Sequence, residues 1–157
     1  MDISLEHANI CVHDIDGMIK FLRTAFPEFK IRYDGIGSDG VRWVHVGTET
    51  TYIALEQASM QSKTKWIPYS GKPGVNHLAY EVENVDIVRK NLNSAGYKDT
   101  TILNNHPHRK RIYFNDPEGN DWEFVQYYSD KNNERNDYTQ WKTSSSSRIN
   151  NPTLILM

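Results

Sequence analysis

Two segments of the chain are written on one template. HANICVHDIDGMIKFLRTAF starts at His7 and HLAYEVENVDIVRKNLNSAG starts at His77, and they align without a gap at an offset of 70 residues. Val12 falls on Val82, Ile15 on Val85, Leu22 on Leu92 and Ala25 on Ala95. Apolar residues recur in register, first at strand period and then at helix period. Asp14 and Asn84 stand at matching places where helix N-caps belong. Behind them, Ile15, Met18, Ile19 and Leu22 share one helix face, and Val85, Val88 and Leu92 share the other. The fold must therefore accommodate the same strand–helix unit twice.

After each helix the chain reads as three short strands. In the first half they cover 29–36, 40–47 and 50–57, with SDG and GTET as turns. In the second half they cover 98–103, 109–116 and 120–128, with DPEG at 116–119 as a tight turn. Each half is β-α-β-β-β. One helix covers only one face of a four-stranded sheet, so two such sheets can close against each other. The expected fold is α+β, with two βαβββ modules forming paired, curved sheets that enclose a cleft. The modules span 3–57 and 74–128, joined by a linker at 58–73 and followed by a polar tail at 129–157. That tail reads as extended or partly disordered.

Composition narrows the function classes. The formal net charge of -2 gives no electrostatic footprint for nucleic acid or an anionic membrane. The first residues, MDISLEHANI, lack the marks of a signal peptide, and no apolar run is long enough to span a bilayer. The single cysteine, Cys11, allows no internal disulfide and is expected as a small buried hydrophobe in a reducing, cytoplasmic setting. The 4 Trp and 9 Tyr suit a core, a pocket lining or a subunit contact.

Strand parity places the chemistry. If His7 faces the cleft, so do Asn9 and Cys11; if His77 does, so do Ala79 and Glu81. On the last strand Trp122, Phe124 and Gln126 share one face, and Asp121, Glu123 and Val125 the other. Trp122 and Phe124 suit the helix side, which leaves Glu123 with the cleft. A lone strand histidine is ordinarily structural. Two at repeat-equivalent positions, with a glutamate on the same surface, form a divalent-metal donor set for Zn, Ni, Mn, Fe or Co. Arg111 and Tyr113 share a face of the strand beside that of Glu123. Arg111 suits a carboxylate or phosphonate, or else belongs to an exposed HRKR run. His45, with Trp43 and Arg42 on a middle strand, reads as structural rather than functional. His13, His106 and His108 read as solvent-facing.

The segments LEHANICVHDIDGMIKFLRTAF, VNHLAYEVENVD and RIYFNDPEGNDWEFVQYYSD resemble the vicinal oxygen chelate superfamily of glyoxalases, fosfomycin- and bleomycin-resistance proteins and extradiol dioxygenases. The resemblance implies first-strand metal ligands at His7 and His77 and a last-strand ligand at Glu123, with Tyr113 at the substrate. Glyoxalase I has a further glutamate on the last strand of its first module. Here Ala54 falls on that position and Glu56 lies two residues beyond. Glu56 is thus either a fourth ligand and proton-moving group beside Glu123, or it leaves a site of two His and one Glu. The implied function is a divalent-metal-dependent, glyoxalase-like lyase or isomerase acting on a small molecule with vicinal oxygens. Alternatives are a fosfomycin-resistance-like thiol transferase, a dioxygenase, or a metal-free drug-binding protein. A thiol such as glutathione enters by analogy only. A homodimer is expected, with modules paired within one chain or swapped across two.

Overall fold

The computed structural model describes residues 3–62, 65–103 and 105–139. The first module contains β1 (His7–Val12), α1 (Ile15–Ala25), β2 (Lys30–Ile36), β3 (Arg42–Gly47) and β4 (Tyr52–Gln57). The second contains β5 (His77–Glu81), α2 (Val85–Ser94), β6 (Arg109–Asn115) and β7 (Asp121–Tyr127), and a short α3 (Asn132–Arg135) follows. The first sheet runs β1-β4-β3-β2 and the second β5-β7-β6. In each, the first and last strands of the module pair in parallel and the hairpin pairs antiparallel. The expected strand at 98–103 is reduced to a bridge between Asp99 and Phe114, extended by the Thr100 N–H donating to the Tyr113 carbonyl. It occupies the place beside β6 that β2 holds beside β3.

Local chemistry sets the element boundaries. The Asp14 carboxylate accepts the Gly17 N–H at 2.8 Å, and the Asn84 side-chain oxygen accepts from Asp86 and Ile87. Such caps are worth about 1 kcal/mol each. In the DPEG turn, Asp116 accepts the backbone N–H groups of Glu118 and Asn120 and the Trp122 indole N–H at 2.9 Å. Gly119 takes φ 87°, a conformation only glycine adopts without cost.

All the apolar helix residues expected to face inward are buried. They belong to one continuous core spanning both modules. Phe21 of α1 meets Trp122 at 5.8 Å, and Phe26, which caps α1, meets Phe124 at 5.5 Å. Both partners are on β7 of the other module. The helices, packed on each other, thus back both sheets. The opposite sheet faces are turned away from this core, and His7, Asn9, Cys11, His77, Ala79 and Glu81 are exposed on them. The cleft is therefore not enclosed within one chain: the two sheets stay open.

Three further expectations change. Cys11 is exposed on the open face, not buried. His106 is buried, with Nε2 3.0 Å from the Asp137 carbonyl, rather than solvent-facing. The start of the tail is docked rather than extended. Buried Arg109 donates to the carbonyls of Arg135 and Asp137, and Arg135 reaches Glu81 at 2.6 Å. The tail beyond 139 lies outside the described residues.

Candidate metal centre

On β5, His77 pairs with Asp121 and Ala79 with Glu123. The parallel register brings Glu123 Oε2 to 3.1 Å from His77 Nε2. Glu123 is buried, while the His77 ring reaches the open face. Tyr113, opposite Glu123 on β6, has its ring 6.0 Å from that of His77. Burial and the neighbouring Glu123 carboxylate push the Tyr113 phenol well above its ordinary range, so it stays an O–H donor. Arg111 pairs with Val125 one step further along the same face. Parity thus placed Glu123, Arg111 and Tyr113 on one surface with His77.

The far side of His77 is held by residues that parity does not reveal. Tyr69 crosses from the linker, and its hydroxyl lies 2.9 Å from His77 Nδ1 and 2.9 Å from Asp121 Oδ2. Thr100 donates to the other Asp121 oxygen at 3.3 Å. Tyr69 has φ 60°, an unfavourable conformation for a bulky residue that costs about 1–3 kcal/mol. Its loop is pinned at two points. The Trp66 indole donates to the Val75 carbonyl at 2.6 Å, and the Tyr69 N–H donates to Asn76 Oδ1 at 2.8 Å. The Tyr-x-Gly-x-Pro composition of the linker marks only a turn-rich loop.

The first sheet carries a matching half. His7 stacks on Tyr52 with ring centres 4.7 Å apart, and Glu6 binds its Nδ1 at 2.7 Å. His45 packs on the same Tyr52 ring, and the Arg32 guanidinium lies 4.2 Å from its centre. Burial, with Arg32 and His7 nearby, pushes the His45 imidazole below its ordinary range. His45 thus belongs to the aromatic floor around His7. Arg42 is committed to Asp34 and Asp16.

The register shows what stands at the fourth corner. Asn9 pairs with Ala54 as Ala79 pairs with Glu123, so Ala54 is the repeat equivalent of Glu123. Glu56 pairs with Cys11, four residues beyond the His7–Tyr52 pair. At strand rise that is about 13 Å further along β4. Within one chain, His77 and Glu123 come together, while His7 stands on the other open face. Among the described residues, no three His, Cys, Asp or Glu side chains gather into one metal cluster.

The donor set nevertheless fits a divalent cation. In both histidines Nδ1 is engaged, by Glu6 or by Tyr69, and in His77 Nε2 faces the Glu123 carboxylate. Holding Nδ1 with an acceptor presents Nε2 as a ligand. His77 Nε2 and Glu123 Oε2 at 3.1 Å need a proton or a cation between them.

A family model described as the Glyoxalase/Bleomycin resistance protein/Dioxygenase superfamily matches residues 4–124. The chain belongs to that superfamily. No curated protein sequence matched it. Among solved structures, a glyoxylase/bleomycin resistance protein/dioxygenase domain from Frankia sp. EAN1pec superposes with TM-score 0.67 at 20% identity, covering 81% of this chain and 99% of that one. The fosfomycin resistance protein FosX from Listeria monocytogenes, solved with Mn(II) and sulfate, superposes with TM-score 0.60 at 20% identity, covering 86% and 98%. A FosX mutant from the same organism, solved with Mn(II) and a dihydroxypropylphosphonic acid, gives TM-score 0.60 at 18% identity, covering 87% and 100%. These likenesses support the α+β fold of two βαβββ modules. Among the described residues, no helix is long and apolar enough to cross a membrane.

Proposed function

We propose that the protein is a divalent-metal-dependent enzyme acting on a small anionic molecule with neighbouring oxygens, working as a dimer. The observation that supports this most is the buried Glu123 carboxylate 3.1 Å from His77 Nε2, with His7 oriented in the same manner on the other open face. Neither half is complete alone. A second copy that lays its β1–β4 face on the β5–β7 face supplies the missing histidine. The exposed rings of Tyr33 and Trp43 on that face give such a contact its apolar area.

In this reading His77, Glu123 and the second copy's His7 hold the metal, leaving open positions. A bound divalent metal supplies Lewis acidity to two substrate oxygens. The chain's own residues do the rest. Arg111 pairs with an anionic group such as a carboxylate or phosphonate. The Tyr113 phenol, kept protonated, donates a hydrogen bond towards the reacting oxygens. Glu56, about 13 Å further along β4 than the His7 level, stands off the metal on the open face. Three protein ligands in place of four favour a metal site with open positions over a four-ligand glyoxalase isomerase, and the FosX structures that share this fold hold Mn(II). With an epoxide as electrophile, attack by a thiol such as glutathione would form the C–S bond as a ring C–O bond breaks, and the freed ring oxygen would take up the thiol's proton; dioxygen chemistry is the alternative.

Metal analysis after reconstitution with Mn(II), Zn(II), Ni(II), Fe(II) or Co(II) tests the reading. One metal per chain, lost in His77→Ala, is expected. Substoichiometric metal with all five ions overturns it in favour of a metal-free binding protein.

A further inference from the structure

Tyr69 belongs to neither sheet, yet its hydroxyl touches two residues of the second, His77 on the open face and the buried Asp121. Asp121 is a buried carboxylate and can only accept, so the phenol donates to it. The phenol oxygen is then left to accept from His77 Nδ1–H. Thr100, donating to the second Asp121 oxygen, holds the carboxylate in place. The chain of bonds runs Thr100, Asp121, Tyr69, His77, and ends with Nε2 directed at Glu123.

We propose that Tyr69 is a positioning residue. It couples Asp121 to His77, fixes the imidazole with its proton on Nδ1, and thereby presents the Nε2 lone pair for the metal. The inference rests on the metal-site reading above and adds to it a residue from the linker. His7 obtains the same orientation from its direct neighbour Glu6. At His77 the facing carboxylate, Asp121, reaches Nδ1 through the tyrosine. The left-handed backbone at Tyr69 is the local cost of that placement. Trp66 and Asn76, which tie down both sides of the loop, offset it.

Tyr69→Phe keeps the ring and removes the bridging oxygen. Zn(II) affinity, measured by competition with a chromophoric chelator, is expected to fall about 10–100-fold. A double cycle with Asp121→Asn is expected to be non-additive, because both changes break one chain. A purely structural tyrosine gives additive losses. Nitrogen-15 NMR of the metal-free protein supplies a reading that needs no metal. The His77 Nδ1–H is expected to be protected from exchange in the wild type and to exchange freely in the variant. Wild-type binding with an unchanged Tyr69→Phe affinity, additive losses in the cycle, or a bare Nδ1 in the wild type overturns the inference. A protected Nδ1–H with no Zn(II) bound leaves the positioning chain standing and overturns the metal reading instead.

Discussion

Ala54 and Glu123 are the same position in two copies of one unit. Each sits on the last strand of its module, opposite the second residue after the module's histidine. One copy carries a carboxylate there and the other a methyl group. The asymmetry makes the two sheets unequal, with His7 on one and His77 with Glu123 on the other.

Two glutamates should therefore behave differently. Glu123→Gln removes a ligand charge and is expected to weaken Zn(II) or Mn(II) binding by about 100-fold or more. Glu56→Gln, about 13 Å along β4 from the His7 level, is expected to change affinity by less than about threefold. Isothermal titration of both variants checks this. A large loss in Glu56→Gln makes it a fourth ligand.

A pH-dependent latch joins the modules. His13, just before α1, donates from Nε2 to the Ser62 carbonyl at 2.8 Å and lies 3.1 Å from Glu118 in the DPEG turn. Glu118 also accepts the Asp14 N–H at 3.0 Å. The Ser62 carbonyl, then Glu118, raise the His13 imidazole above its ordinary 6.5. Burial pushes Glu118 up, but its bonds to His13 and Asp14 outweigh that and hold it below 4.5. The raised histidine contributes fully below 6.5 and loses its contribution as pH rises through its folded value. The lowered carboxylate contributes above 4.5 and loses its share as pH falls through its folded value. The melting-temperature difference between wild type and His13→Ala should be largest between 4.5 and 6.5 and shrink in alkali. A difference that does not shrink as pH rises from 6.5 into alkali contradicts the latch.

Asp116 carries the DPEG turn. Its carboxylate accepts the Trp122 indole N–H and the Asn120 side-chain amide, both at 2.9 Å. Asp116→Ala leaves a fully buried indole N–H unpaired and uncaps the turn. A loss of about 2–4 kcal/mol in urea unfolding is expected.

What was legible in the sequence was local. The matched periods around His7 and His77 gave both helices with their caps, and parity put Glu123, Arg111 and Tyr113 on one face. The register even anticipated Ala54 opposite Glu123. Tyr69 was not legible, because a loop has no period to say which strand its side chain will meet. His106 reads as a solvent-facing loop residue, and Arg109 as part of the charged HRKR surface run. They are buried by residues 135–138, some thirty positions later, a contact no local pattern encodes. The placement of both helices between the sheets depends on the Phe21–Trp122 and Phe26–Phe124 contacts. The repeat itself is equally compatible with pairing inside one chain.

The most direct test of a site shared between two copies is complementation. His7→Ala and His77→Ala proteins are unfolded together, refolded as a mixture and loaded with Zn(II). Each variant alone is expected to bind poorly. In the mixture every heterodimer keeps one intact site, so random pairing restores about one quarter of the wild-type metal. If the mixture binds no more metal than the separate variants, the two histidines do not meet across chains and the account is wrong.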